Sequence, residues 1–169
     1  MLIGLIIIIL CIIIDQTTKY AAQAAFAGTS GRTFIPYILE FGYVENDGAS
    51  LNILAGEQFT FMIITVFALG IFGYLFLSSD FKNKKAYSIA IALFIGGTFG
   101  NAIDRAMHAY VIDFMHYPFL EMILGRYGSF HNNFADLFLS AAIVLFSIDL
   151  FFLEPKRLKK EKINVQESH

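Results

Sequence analysis

The sequence has a single cysteine and few charged side chains. Cys11 lies between Leu10 and Ile12, so no disulfide can form within the chain, and we interpret this cysteine as a small buried apolar residue. Charged residues make up 15% of the chain. Packing and hydrogen bonds must therefore hold the fold together.

Apolar residues dominate the rest of the chain. They account for 57% of it, with a mean hydropathy of +0.63, whereas soluble domains contain about 45–50% apolar residues. We therefore predict one polytopic membrane domain over residues 1–153. Apolar segments long enough to cross a bilayer predict four spans, at about 2–27, 59–77, 86–103 and 134–153.

The first of these spans could be mistaken for a signal peptide. No Lys or Arg precedes its apolar run, and Ile8, Ile9 and Leu10 occupy positions where a cleavage site would have small residues. We therefore expect a retained span.

The basic residues are segregated along the chain and predict its orientation. Eight of the twelve lie either between the second and third spans or in the tail 154–169. The positive-inside rule places both of these segments, and both termini, in the cytoplasm. Segments 28–57 and 105–133 are then extracytoplasmic loops. Because the net charge is −2 and the basic residues form no single patch, we expect no nucleic-acid partner.

The two extracytoplasmic segments differ in character. In the first, Leu39, Phe41 and Tyr43 alternate with other residues, a pattern that predicts a short β-sheet. The second contains a group too apolar for solvent, which predicts an interfacial helix or lid on the lipid. We therefore predict an all-α membrane fold with a small β element. The apolar group consists of Phe119, Leu120, Met122, Ile123 and Leu124.

Polar side chains gather at the predicted outer ends of the spans. Each cluster taken alone is explained by ordinary capping or by an interfacial ion pair. Accidental helix ends would scatter over both membrane surfaces, however, so the shared depth favours one composite site. The clusters are Asp15 with Lys19, Asn46, Asn101 with Asp104 and Arg105, Asp113, and Asn133 with Asp136.

Two of the aspartates have a cation nearby in the sequence. Lys19 follows Asp15 at i+4, and Arg105 follows Asp104 at i+1. Such neighbours suit permanently ionised, structural carboxylates. Gly97 lies on the same helical face as Asp104, where a glycine lets another helix approach closely.

Asp113 and Asp136 have no such cation and can meet across the mouth of the third and fourth spans. Two carboxyl groups brought close share a proton and can activate water, as in aspartic peptidases. Asn132 or Asn133 can cap the fourth span, so Asp136 lies in a first turn that favours its ionised form. Asp113 has apolar neighbours, which favour its protonated form.

Other functions use similar residues. His108, His116 and His131 could join the carboxylates in a metal site, although no recognised ligand spacing is present. Carboxylates with Asn and Arg between helices also build relays, so a small proton- or ion-coupled transport protein is the alternative. A noncatalytic assembly subunit is a third reading. Confinement of the polar residues to one depth argues against transport.

Five short motifs resemble those of signal peptidase II, the lipoprotein signal peptidase family, over nearly the full chain. They are DQTTK at 15–19, NDGAS at 46–50, GTFGNAIDR at 97–105, VIDF at 111–114 and NFAD at 133–136. The resemblance implies an aspartic peptidase of the bacterial inner membrane with its active site at the extracytoplasmic face. It implies removal of the signal peptide from diacylglyceryl-modified prolipoproteins, just before the lipidated cysteine.

The resemblance also implies roles for individual residues. Asp113 and Asp136 would be catalytic, without a metal or organic cofactor. The partners would be prolipoproteins and membrane lipid, and we expect the chain to function as a monomer. Supporting or substrate-facing roles are implied for Asp15, Lys19, Asn46, Gly97, Asn101, Asp104, Arg105 and Asn133.

The chain departs from the family pattern in several places. Glu45 replaces a usual basic residue, Leu51 and Asn52 replace Phe-Ser, and Asn132 replaces Phe. The segment 115–132 is also longer than typical. These departures leave the two aspartates intact and bear on substrate contacts.

Overall fold

Four long apolar helices form the body of the protein. The computed structural model describes residues 1–48 and 57–167. Within these described ranges, four helices are long and apolar enough to cross a membrane, which confirms the predicted number of spans. They are α1 (Leu2–Phe26), α2 (Gln58–Phe76), α3 (Lys85–His108) and the continuous helix that begins with α5 (Phe134–Ile148).

The fourth span continues past its predicted end. A π-helical turn over Asp149–Leu153 joins α5 to α6 (Glu154–Glu167), so the polar tail is helical. The extra residue in the π turn puts Asp149 and Arg157 on one face. Arg157 donates from Nη1 and Nη2 to the two carboxylate oxygens of the buried Asp149, at 2.8 and 2.6 Å. The one acidic residue deep in this part of the helix is therefore paired.

The predicted small sheet is present and covers one end of the bundle, but it has four antiparallel strands, two of them from the segment 105–133 that was predicted as a loop. Its strands, in spatial order, are β1 (Arg32–Ile35), β2 (Leu39–Asn46), β3 (Val111–His116) and β4 (His131–Asn132). β2 and β3 pair so that Val44 lies opposite Asp113.

The segment 105–133 is more ordered than the predicted loop. α3 extends to His108, past the expected end near Ile103, and β3 follows almost at once. β3 is buried along Val111–Met115, so its sequence lacks the alternation that marks a half-exposed strand. The apolar group that predicted an interfacial helix lies around α4 (Pro118–Leu124), although the role of a lid stays a prediction.

α3 is the central helix, and small residues let its neighbours approach. A Cβ added at Gly96 would lie 2.6 Å from the Cβ of Cys11 on α1. Ile91 and Ile95 pack with Ile8 and Phe76 in the core of the bundle. Close packing of small residues is the usual basis of helix association in lipid.

We predict that Gly97→Ala destabilises the bundle by about 1–3 kcal/mol. The new Cβ would lie 2.7 Å from the backbone oxygen of Ala135 and 2.9 Å from Cγ of Leu139, so α5 must move away from α3. Thermal unfolding in detergent measures the effect. Gly70→Ala on α2 is the matched control, because an added Cβ there meets no described atom within 4 Å. Equal unfolding temperatures for the two variants would contradict the prediction.

Candidate active site

A buried lysine lies at the centre of the polar residues. Nζ of Lys19 is 2.8 Å from Oδ2 of Asp15 and 3.0 Å from Oδ2 of Asp104. It also donates to Oδ1 of Asn101 at 2.8 Å. An ammonium group has three donors, and all three are used here. Lys19 is 1% exposed and Asp15 0% exposed, so the cluster is shielded from water.

The two aspartates of this cluster also hold backbone groups. Oδ1 of Asp15 accepts from the backbone N–H of Ala135, at the start of α5, at 2.8 Å. Oδ2 of Asp104 accepts from the backbone N–H of Ile112, on β3, at 3.0 Å. The ion cluster therefore fixes the starts of the two elements that carry Asp136 and Asp113. Asp104 has Lys19 as its cation, so the sequence-local pairing of Asp104 with Arg105 is wrong.

Asn133 caps α5 and links it to Asp113. Its Oδ1 accepts from the backbone N–H of Asp136 at 3.0 Å, and Oδ2 of Asp136 accepts from the backbone N–H of Asn133 at 3.2 Å. Nδ2 of Asn133 donates to Oδ1 of Asp113 at 2.7 Å. Of the two candidate caps, Asn132 instead pairs with Met115 in the sheet.

Amide groups hold each carboxylate from a second side. Nδ2 of Asn46 donates to Oδ2 of Asp113 at 2.8 Å. Nδ2 of Asn101 donates to Oδ1 of Asp136 at 2.8 Å. Asp113 and Asp136 both line one cavity of about 510 Å³. The structure thus brings together the two aspartates that the sequence selected.

The surroundings of Asp113 favour its protonated form. Burial, reinforced by the negative charge of Asp136, raises the pKa of Asp113 to about 7. The hydrogen bonds from Asn46 and Asn133 and the positive charge of Lys19 act in the opposite direction. The first two effects are larger, so Asp113 can hold a proton near neutral pH.

Arg105 faces the same cavity. Its Nη2 donates to the backbone oxygen of Gly48 at 3.3 Å, and its guanidinium lies 4.3 Å from the ring centre of Phe61. Among the described residues, its buried Nε has no hydrogen-bond partner. Arg105 therefore has donor capacity left for a molecule in the cavity.

Part of the predicted site lies outside the described residues, and Glu45 lies in the sheet beside it. Ala49 and Ser50 of the motif NDGAS, with Leu51 and Asn52, lie outside the described residues. Glu45, one of the expected departures from the family pattern, accepts from the hydroxyl of Tyr43 at 2.9 Å. The carboxylate of Glu45 therefore makes a local contact within the sheet and not a contact with the pair of Asp113 and Asp136.

Gln16 is a supporting residue that the sequence reasoning missed. Its Nε2 donates to Oδ1 of Asp104 at 2.8 Å and to the backbone oxygen of Gly100 at 3.1 Å. It therefore reinforces the contact between α1 and α3. The available signal was its polar side chain next to Asp15 within an apolar span.

Among the described histidines, His131 lines the cavity of Asp113 and Asp136, but the three together form no metal site with the aspartates. His116 and His131 stack on each other with ring centres 4.8 Å apart, and His108 stacks on Tyr110. Over residues 1–48 and 57–167, no three His, Cys, Asp or Glu side chains are arranged to hold a metal ion. Two carboxyl groups at one cavity, one of them with a raised pKa, suit acid–base activation of water.

Comparison with known proteins points to one family. The model of the family described as Signal peptidase (SPase) II matches residues 7–152. The chain is 34% identical over 154 residues to the lipoprotein signal peptidase of Latilactobacillus sakei subsp. sakei, which covers 91% of this chain and 97% of that protein. It is 35% identical over 152 residues to that of Lactobacillus gasseri, with 90% and 94% covered.

Two solved structures of bacterial membrane enzymes have the same fold. One superposes with a TM-score of 0.75 at 29% identity, over 88% of this chain and 92% of that chain. The other has a TM-score of 0.74 at 31% identity, over 94% and 92%.

We predict that Lys19→Met destabilises the fold by about 3–5 kcal/mol, because two buried carboxylates lose their cation. Thermal or denaturant unfolding in detergent measures the change. Lys82→Met, at an exposed lysine in the loop between α2 and α3, is the control and should change stability by less than about 0.5 kcal/mol. A Lys19→Met protein as stable as the control would show that the cluster does not hold the fold.

Proposed function

This chain belongs to the signal peptidase II family and cleaves lipoprotein signal peptides, and we propose that Asp113 and Asp136 carry out the hydrolysis. The observation that carries this proposal is the pair of buried carboxyl groups at one cavity, each oriented by an amide. The family does not favour the alternative of a proton- or ion-coupled transport protein.

The substrate is a prolipoprotein whose cysteine carries a diacylglyceryl group, and cleavage occurs just before that cysteine. The cavity lies at the end of the bundle that the sheet covers, so the lipid chains stay in the bilayer while the scissile amide reaches the aspartates. The distribution of basic residues supports an extracytoplasmic position for this end, in the inner membrane of a bacterium. Exposed apolar surface on the spans suits the signal helix.

Asp113 acts as the acid and Asp136 as the base at the start of the reaction. The Asp136 carboxylate takes a proton from a water molecule, and the oxygen of that water attacks the amide carbon. Asp113 gives its proton to the carbonyl oxygen, which forms a neutral tetrahedral intermediate. When the carbon–nitrogen bond breaks, the hydroxyl proton returns to Asp113, and the proton held by Asp136 goes to the leaving amine. The pair is then ready for the next turnover.

Three supporting groups keep this geometry. Asn133 holds Asp113 through its side chain and Asp136 through its backbone N–H. Asn101 accepts a hydrogen bond from Lys19 and donates one to Asp136, so it links Asp136 to the buried lysine. Arg105 lines the cavity, and its Nε has no hydrogen-bond partner among the described residues, which suits a substrate carbonyl. Hydrogen bonds from these fixed donors orient both reactants before reaction.

The test is cleavage of a lipid-modified prolipoprotein by the purified protein. We expect wild type to release the signal peptide, and Asp113→Asn and Asp136→Asn each to lose about 10²–10⁴-fold in rate because a proton-transfer group is missing. Asp80→Asn, in the loop at the opposite end of the bundle, is the control and should retain activity. Failure of wild type to cleave would reject the substrate. Cleavage by Asp113→Asn or Asp136→Asn at the wild-type rate would reject these two residues as the catalytic pair.

The raised pKa of Asp113 predicts how cleavage depends on pH. Below about pH 7 Asp113 holds the proton that it must donate, and as pH rises through about 7 that proton is lost and the rate falls. The amide of Asn46 stabilises the ionised form of Asp113. Asn46→Ala should therefore raise the pKa and move the alkaline limb of kcat upward by about 0.5–1 pH unit.

Asn83→Ala is the matched control for this shift, because Asn83 also donates to an aspartate, Asp80, but at the other end of the bundle. It should leave the alkaline limb in place. A downward shift in Asn46→Ala, or the same shift in both variants, would contradict the assigned role of Asp113.

A further inference from the structure

A second group of titratable side chains lies at the C-terminal end of β3. The last pair of the β3–β4 ladder joins His116 to His131, whose rings are stacked at 4.8 Å and inclined by 22°. β4 is two residues long, so this pair and the neighbouring pair of Met115 with Asn132 make up its whole ladder. So short a strand depends on side-chain contacts to stay in register.

The ring of His116 lies between two carboxylates. Its Nδ1 is 3.3 Å from Oε2 of Glu40 on β2, and its Nε2 is 3.4 Å from Oε2 of Glu121 on α4. Neutral imidazole has one N–H, whereas imidazolium has an N–H on each nitrogen, so only the charged ring attracts both carboxylates. The contact with Glu121 lacks hydrogen-bond alignment and acts through charge.

Two further groups face this cluster. Burial, together with the neighbouring His116, lowers the pKa of His131, so the neutral ring of His131 stacks on His116. Arg32 of β1 lines the same small cavity of about 260 Å³. A protonated His116 ring places a cation between the carboxylates of Glu40 and Glu121, and a neutral ring does not.

α4 depends on this contact more than a packed helix would. None of its residues, all of which the structure describes, is buried, and Met122 and Ile123 are 74% and 73% exposed. No apolar core therefore fixes α4 to the sheet. Glu121 supplies an ionic contact from α4 to β3.

The cluster also borders the catalytic cavity. His131 lines both the small cavity and the cavity of Asp113 and Asp136, and Asn132 lines the latter. β4 is thus the wall between the two. A change that loosens β4 alters the space available to substrate.

We propose that His116 is a positioning residue: when protonated it clamps β4 and α4 onto the sheet, and so makes substrate binding depend on the pH outside the membrane. The clamp consists of His116, Glu40, Glu121 and His131. It is engaged when the ring of His116 carries a positive charge and released when the ring is neutral. The inference rests on the proposed function only for its effect on substrate.

The kinetic test compares KM and kcat of wild type and His116→Gln between about pH 5.5 and 8, where histidine titrates. We expect KM of wild type to rise roughly two- to fivefold across this range, the size of effect expected for partly exposed ion pairs. KM of His116→Gln should stay at the high value, and Glu121→Gln should lie between them. The alkaline limb of kcat, which belongs to Asp113, should remain in all of them.

His108→Gln is the matched control, because His108 also lies at this end of the bundle but stacks on Tyr110, away from the clamp. It should keep the wild-type profile of KM. A folded His116→Gln protein with the wild-type profile would overturn the proposal. So would an equal change in His108→Gln.

A second measurement does not depend on cleavage. Cys11 is buried, so a spin label on Met122→Cys reports on α4 with little background. We expect the label to be more mobile at about pH 8 than at about pH 5.5, and equally mobile at both when His116→Gln is added. If the prolipoprotein is not cleaved but the label responds in this way, the proposed function fails and the clamp stands. If the mobility of the label changes neither with pH nor on adding His116→Gln, the proposed clamp is overturned.

Discussion

The ion cluster of Lys19 with Asp15 and Asp104 is the interaction on which the rest of the site depends. Taking three charged groups out of water is costly, and the cost is offset only when every donor and acceptor is satisfied. Here the lysine uses all its donors, and the carboxylates also hold the starts of α5 and β3. The cluster therefore determines where the two elements carrying Asp113 and Asp136 begin.

Amide side chains transmit this order to the two carboxyl groups without adding charge. Because Lys19 can only donate, it fixes Oδ1 of Asn101 towards itself, and Nδ2 must then face Asp136. Asn133 extends the chain of hydrogen bonds to Asp113. Neutral donors orient the pair while burial and mutual repulsion keep a proton on Asp113. A second lysine in their place would favour ionisation of both.

Sequence patterns predicted much of this, because long apolar runs and polar residues within them carry strong signals. The four spans, the sheet and the selection of Asp113 and Asp136 came from such patterns. The cation of Asp104 did not, because Lys19 is 85 residues away in the chain and Arg105 is adjacent. β3 was missed because it is buried on both faces and its sequence has no alternation.

Apolar length and charge bias act locally along the chain, so the order of residues alone indicates which side chains share a membrane boundary. Which of those residues are in contact depends on how the helices and the sheet pack. Hydrogen bonds and ion pairs depend on distances of about 3 Å, which helix packing sets and which sequence separation does not encode. The capping of α5 by Asn133, the three contacts of Lys19 and the position of His116 between Glu40 and Glu121 are all of this second kind.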